Sequence, residues 1–296
     1  MMYAFVDAEE ANFPIAFMCK QFGISDSAFF AWRKKIAAGP TDAELEEEQL
    51  VAQMRVIHSD SDGTYGEPRM TPALRALGFN DNHKRVERLM RKHKIVGHVP
   101  KRKVITTIPA VDRDSVTDLV KRDFVKETQD LAWCGDISYI RTWEGWLYLA
   151  TVIDLGSRRV IGYAMADHMR TELIENALNM AVKTRGVNKM PGVIFHHDNG
   201  SQYRSQDFAT TTTLLGVKRS VGRVATCFDN AVAESFFATL KKELVHRRTF
   251  TTRAQARTEI FEWIEGWYNS RRLHSTLGYL TPLAWEQRQT SSAQAA

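Results

Sequence analysis

LAWCGDISYIRTWEGWLYLATVIDLGSRRVIGYAMA, residues 131–166, is the stretch on which the fold turns. Trp133–Tyr139 alternates, with Trp133, Gly135, Ile137 and Tyr139 on one face and Cys134, Asp136 and Ser138 on the other. Trp146–Asp154 is rich in β-formers and almost wholly apolar. Val160–Ala166 is a third such run, entered through Gly156-Ser157-Arg158-Arg159. Three strands with short connections predict an antiparallel meander.

Downstream, Glu172–Arg185 reads as a helix capped by Thr171, with Leu173, Ile174, Ala177, Leu178, Ala181 and Val182 inward. Val193–His197 reads as a short buried strand, Ser205–Leu215 as a helix stopped by Gly216, and Val217–Val221 as another strand. Gly222–Phe228 has no periodicity and reads as a mobile loop. A helix opens near Asn230 and a long one near Thr252. The order β-β-β-α-β-α-β-α predicts an α/β, RNase H-like mixed sheet flanked by helices. This core spans 127–288 with a C-terminal helical extension, and 289–296 is expected to be a disordered tail.

Upstream the pattern is helical. Within 1–40, residues 14–35 read as two short helices around Gly23, the second capped by Ser25; a helix-turn-helix and a plain helical hairpin fit equally. Thr41 and Glu44 form a capping box opening a helix with Leu50, Met54 and Ile57 as its stripe. Thr71-Pro72 reads as a cap and first-turn pair, with Gly78 as the stop. Asn82–His93 turns Val86, Leu89 and Met90 inward and Lys84, Arg85, Arg88, Arg91 and Lys92 outward. Residues 41–104 therefore read as a helix-turn-helix-like DNA-binding segment, preceded by small all-α segments and followed by a linker over 105–126.

Composition narrows the function. A hydrophobic fraction of 44% and a charged fraction of 25% are globular values. No apolar stretch is long enough to span a membrane, and the acidic start MMYAFVDAEEANF is unlike a secretory signal. Cys19, Cys134 and Cys227 lie far apart, so neither a disulfide framework nor a zinc ribbon is expected. A soluble cytosolic protein fits these features. Net charge is +5 with a pI near 9.1. From His83 to Lys103 nine cations, adding Lys94, Lys101, Arg102 and Lys103 to the five above, face one acid, Glu87. That local excess suits a phosphate-facing surface or a solvated helix face with a basic linker.

Three carboxylates stand out. Asp136 lies mid-strand, where aspartate is unfavourable. Asp198 ends the fourth strand, VIFHHD, and Glu234 sits in the first turn of the helix after Asn230. In this topology the first and fourth strands are neighbours, and a helix crossing them brings Glu234 to the same point. Carboxylates sharing a small volume repel unless cations are present, and two Mg²⁺ ions would relieve that repulsion while clamping a phosphodiester. The plainer alternative is that Asp198 forms a turn with Asn199-Gly200 and that the spacing is chance. Asp154 reads as a strand-end turn residue and Asp229 as a helix cap. Lys241, two turns beyond Glu234, shares its helix face; a DNA phosphate contact and a solvated lysine both fit. His196 and His197 point to opposite faces, so at most one could assist Asp198; a core histidine is the simpler reading. Walker A, G-x-S-x-G and H-E-x-x-H patterns do not occur.

The blocks WCGDISYIRTWEGWLYLATVIDLGSRRVIGYAM, IFHHDNGSQYRSQDF, CFDNAVAESFFATLKKE and YNSRRLHSTLGYLTPLAW closely resemble successive blocks of the OrfB transposases of the insertion-sequence-3 family. YGEPRMTPALRALG and NHKRVERLM resemble that family's helix-turn-helix segment. The resemblance implies a retroviral-integrase-like core with its D-D-E triad on Asp136, Asp198 and Glu234. The 35 intervening residues between the last two match the family's spacing, and its basic residue falls on Lys241. It further implies Mg²⁺-dependent strand cleavage and strand transfer, with two ions and Mn²⁺ as a substitute, at insertion-sequence terminal repeats and in target DNA. Its implied partners are further copies of the chain on DNA and OrfA, usually as an OrfA-OrfB fusion. The chain departs from the family's block at His197 and Asn199, where serine and arginine are usual, and, unlike retroviral integrases, it shows no zinc-binding HHCC module before the core. An RNase H-like nuclease or a non-enzymatic DNA-binding regulator are the competing expectations; the first leaves the basic helices unexplained, the second the intact triad.

Overall fold

The computed structural model describes residues 2–98, 118–120, 127–198, 200–221 and 230–294. The chain divides into two compact units, Met1–Gly97 and His98–Ala296. The expected linker over 105–126, the loop Gly222–Phe228, Asp229, and the cations Lys101, Arg102 and Lys103 lie largely or wholly outside the described residues.

The first unit is all helical: α1 Met2–Ala8, α2 Ile15–Phe22, α3 Asp26–Ala38, α4 Asp42–Asp60, α5 Glu67–Ala76 and α6 His83–Lys92. Val6, Met18, Cys19 and Phe29 form a small core under α1–α3. Gly23 closes α2 at a φ of 65°, and the Ser25 hydroxyl accepts the Ala28 N–H to open α3. Leu50, Met54, Met70, Leu74, Val86 and Leu89 form a second core under α4–α6. Both halves of the Thr41–Glu44 capping box are formed, and Lys35 reaches Glu44 at 2.9 Å. The sequence segments 1–40 and 41–104 thus belong, up to Gly97, to one unit with two apolar centres. One boundary is corrected. Thr71-Pro72 does not begin a helix: α5 starts at Glu67, with Pro68 in its first turn and Pro72 inside it. Pro68 already fills the position that lacks an amide partner, and the Thr71 hydroxyl donates to Glu67 instead of capping.

The second unit contains β1 Ala132–Thr142, β2 Gly145–Asp154, β3 Val160–Ala166, α7 Thr171–Thr184, β4 Ile194–His197, α8 Gln206–Leu214, β5 Lys218–Val221, α9 Ala231–Glu243, α10 Arg253–Glu262 and α11 Pro282–Gln294. The strands lie in the order β3-β2-β1-β4-β5, with β1–β3 antiparallel and β4 and β5 parallel to β1. Helices cover both faces, as the RNase H-like reading expects. Trp133, Val152, Ile161 and Phe195 pack with α7 and α8 on one side. Cys134, Ile140, Leu149 and Ile153 pack with α9 and α10 on the other. The first face is tight: a Cβ on Gly162 of β3 would come within 2.2 Å of the Ala177 carbonyl oxygen in α7.

Thr171 is the first residue of α7 rather than its cap; Arg170 holds that position without a side-chain bond. α10 widens into a π-type turn over Trp263–Asn269, where the Asn269 side chain bonds both the N–H and the carbonyl of Val160. The expected tail from 289 is also corrected, because α11 continues through Gln294. Thr290, Ser291 and Ser292 donate to carbonyls four residues back, and Glu286 pairs with Arg159 at 2.7 Å and Arg185 at 2.9 Å. A polar sequence is held as a helix because its one buried acid, Glu286, is paired with Arg159 just ahead of β3 and Arg185 at the end of α7, while its hydroxyls are satisfied on the helix itself. Among the described residues, no helix is long and apolar enough to cross a membrane.

Candidate active site

β1 and β4 run side by side with Cys134 opposite His196, so Asp136 and Asp198 follow at the same level, two positions beyond that pair. Asp136 shares the face of Cys134, which α9 covers with Ala233, Phe236, Phe237 and Leu240. The Asn230 side chain, just ahead of α9, donates to the Gly135 carbonyl at 3.1 Å and fixes the start of the helix beside β1. Glu234 is in the exposed first turn that follows.

The electrostatics bind these residues into one neighbourhood. Burial, then the charge of Asp198, and less strongly that of Glu234, push the Asp136 carboxyl up to about 7. The Ile137 N–H, donating to it at 2.7 Å, and Lys241 oppose that shift. Burial also raises Asp198, against a 3.0 Å bond from the Gly200 N–H, and raises Glu234. Lys241 is lowered by burial and held up by Asp136. Its ammonium lies 5.5 Å from the centre of the Tyr139 ring. Three oxygen donors raised by burial, one of them, Asp136, also by the charges of the other two, suit a hard divalent cation. Among the described residues, however, no group of three His, Cys, Asp or Glu side chains is gathered tightly enough to hold a metal ion. The carboxylates share a field without sharing a coordination shell.

The histidines before Asp198 are accounted for by packing. His196 bonds the Ser220 hydroxyl through Nδ1 at 2.9 Å. His197 stacks on Tyr203 at 4.6 Å, and its Nδ1 lies 2.6 Å from the Asp198 carbonyl oxygen. Burial drives His197 down to about 4, so it is neutral and steadies the strand end that carries Asp198. Sequence reasoning did not foresee that bracing, since Tyr203 lies in a turn with no periodic signal. Asp154 is a turn residue, accepting the N–H groups of Asp130, Gly156 and Ser157.

On α6 the cations face outward over buried Val86, Leu89 and Met90, as expected, and four of them are paired with carboxylates. Arg85 pairs with Asp81, Arg91 with Glu87, and Arg88 and Lys92 both with Glu47 of α4. Lys84 is exposed on the first turn.

Residues 44–103 match the HTH-like domain family, and 127–227 and 215–282 match two integrase core domain families. The second unit's two matches take in Asp136 and Asp198, then Glu234 and Lys241. Over 289 residues the chain is 34% identical to the transposase InsF for insertion sequence IS3A of Escherichia coli K12, covering 97% of this chain and 99% of that one. The chain belongs to the insertion-sequence-3 transposase family. A 31 kDa protein of insertion element IS600 from Shigella sonnei is 32% identical over 271 residues, covering 92% and 98% of the two chains. Among solved structures, the HTLV-2 integrase catalytic core domain aligns at 16% identity over 53% of this chain and 97% of that one, with a TM-score of 0.40. As a member of this transposase family, the chain is a polynucleotidyl transferase of DNA transposition and integration, and it binds DNA.

Proposed function

We propose that Asp136, Asp198 and Glu234 are the catalytic carboxylates of this transposase and that together they hold two Mg²⁺ ions, or Mn²⁺ in their place, while insertion-sequence ends are cut and joined to target DNA. The observation that carries this reading is the shared field of the three acids, in which Asp136 is pushed up to about 7 and Lys241 is the cation opposing it. When bound, the ions supply activation of the attacking oxygen and stabilisation of the leaving 3′ oxygen. Asp136 and Asp198 are set by neighbouring strands and are the fixed part of the site. Glu234, on an exposed helical turn, has the rotamer freedom to complete it. His197 and the Gly200 amide hold the Asp198 segment in place. Lys241 orients a backbone phosphate beside the reacting one and takes no proton.

The same reading gives Lys84, Arg85, Arg88, Arg91, Lys92, Lys101, Arg102 and Lys103 a phosphate-contacting role, exchanging internal acids for DNA. It places the protein with the bacterial nucleoid, acting as several copies on the terminal repeats and with OrfA or as an OrfA-OrfB fusion. The test is cleavage of labelled terminal-repeat DNA by Asp198→Asn in the presence of Mg²⁺. Loss of cleavage with DNA binding retained is expected; near-normal cleavage overturns the assignment.

A further inference from the structure

The β1–β2 hairpin carries large aromatic side chains into solvent close to Lys241. Tyr139 is 57% exposed, Trp143 76% and Trp146 45%. Tyr139 and Arg141 alternate along one face of β1, Trp143 follows in the hairpin turn, and Trp146 of β2 stands directly opposite Arg141. The helical cover of that face reaches Ile137 and Tyr148 and goes no further along these two strands. Tyr139 and Trp146 meet edge to face with ring centres 5.1 Å apart. Beyond the last β4 pairing, β1 has no described strand on that side, and Lys241 reaches past this edge to the Tyr139 ring.

The hairpin is braced. The Trp143 N–H donates to the Phe250 carbonyl at 3.1 Å, the Arg253 Nε to the Trp146 carbonyl at 3.0 Å, and the Arg253 N–H to Glu144 at 2.7 Å. Exposed rings on a rigid support lose little freedom when something settles on them. Rings interleaved with an arginine and a lysine match what unpaired nucleotides use: π-faces for bases and cations for the backbone. A second protein chain would also cover apolar rings. The charge favours nucleic acid, because the cations are threaded through the ring cluster and Lys241 links it to the field of Asp136.

We propose that Tyr139 and Trp146, with Trp143 at the tip, form a stacking platform for unpaired bases of the DNA strand whose backbone Lys241 holds. The platform positions the frayed end next to the carboxylates; its rings do not touch the reacting atoms. This rests on the reading of those carboxylates as the cutting site.

The test is a binding cycle with the full chain in an Asp198→Asn background and in EDTA, so that no chemistry intervenes. The probe is fluorescent terminal-repeat DNA with its last nucleotides unpaired, read by anisotropy, and the same DNA with an abasic site at each unpaired position in turn. Tyr139→Ala combined with Trp146→Ala should weaken binding by roughly tenfold, and one abasic site should weaken the unaltered platform to a similar degree. The two losses should not add when variant and abasic DNA are combined, and Tyr139→Phe with Trp146→Phe should restore affinity. Unchanged affinity, or losses that simply add, overturns the platform. So does a fall in self-association by sedimentation with DNA affinity intact, which would make the rings a protein interface. Cleavage by Asp198→Asn alone would instead defeat the carboxylate assignment and leave the stacking cycle standing.

Discussion

Helix α6 and the β1–β4 edge are both dense in charge, and they dispose of it in opposite ways. Four of the five cations on α6 have a carboxylate from the same unit, and Glu47 serves two of them. Asp136 has its neighbour's N–H and the field of Lys241, and the other two charges that bear on it, Asp198 and Glu234, are of its own sign. A run of like charge in a sequence is therefore a poor guide to a site, because folding supplies counter-charges from elsewhere in the chain. Like charges that the fold brings together without strong compensation are the better guide, because the fold tolerates that cost only where something else is to be bound.

The largest effect that would break this contrast is on chemistry. Asp136→Asn should abolish strand transfer, a loss of at least about a thousandfold for removal of a metal-bearing carboxylate, while melting cooperatively. Retained activity in a labelled-end assay would reduce Asp136 to an ill-placed strand residue. Next comes a stability signature. With its carboxyl raised from 3.8 to about 7, folded Asp136 keeps a proton that the unfolded chain releases. Its contribution is fully present below pH about 4 and is lost as pH rises through about 7. Thermal melts in EDTA should show this decline, Asp136→Asn should flatten it, and Mg²⁺ should offset it at pH 8. A metal-free stability that climbs steadily from pH 5 to pH 8 would contradict the shared field.

A smaller, sharper contrast is between adjacent lysines. Lys241, half-buried beside Tyr139 and Asp136, should lose strand transfer at modest salt when changed to alanine, recover at higher DNA concentration, and tolerate arginine. Exposed Lys242→Ala should be milder. The reverse ranking would mean that the phase of α9 is wrong. The smallest effect concerns α6. Arg88→Ala with Lys92→Ala should reduce the slope of log affinity against log salt by about one for each phosphate no longer neutralised, and Glu47→Gln should tighten DNA binding by freeing both cations. If neither change moves the slope, these residues only tie α6 to α4.

Much of the core was legible because its signals are local. Alternation located β1, apolar runs located β2 and β3, and the inner face of α7 was read residue for residue. Ser25 and Thr41 opened their helices as expected, since a cap is settled within four residues. Pro72 misled because it fits a first turn as well as Pro68, which holds that place, and only the burial of Met70 and Leu74 decides between them. The end of α11 was missed because polar composition resembles a frayed terminus, whereas its anchor, Glu286, meets arginines more than a hundred residues away. The levels of Asp136 and Asp198 were readable from topology. The pairs Arg85–Asp81 and Arg91–Glu87 lie four residues apart and were readable too; the pairing of Arg88 and Lys92 with Glu47 was not, because only the packing of α4 and α6 brings them together.

The Glu286 anchor has a consequence for how copies of such a gene decay. Arg159 and Arg185 are largely enclosed, and both direct a guanidinium at this one carboxylate from α11. Losing it would take from Arg159 its carboxylate and leave Arg185 only Asp130 and Asp154, and with α11 gone the apolar surface it covers would be exposed as well. A stop codon anywhere from 282 to 286 would leave the sequence of all three proposed catalytic acids untouched and still remove the carboxylate that joins the β2–β3 connection to the end of α7. Such a shortened product would be cleared as a misfolded chain before it could compete for the ends of intact elements, so late nonsense mutations should behave as recessive losses rather than as dominant inhibitors.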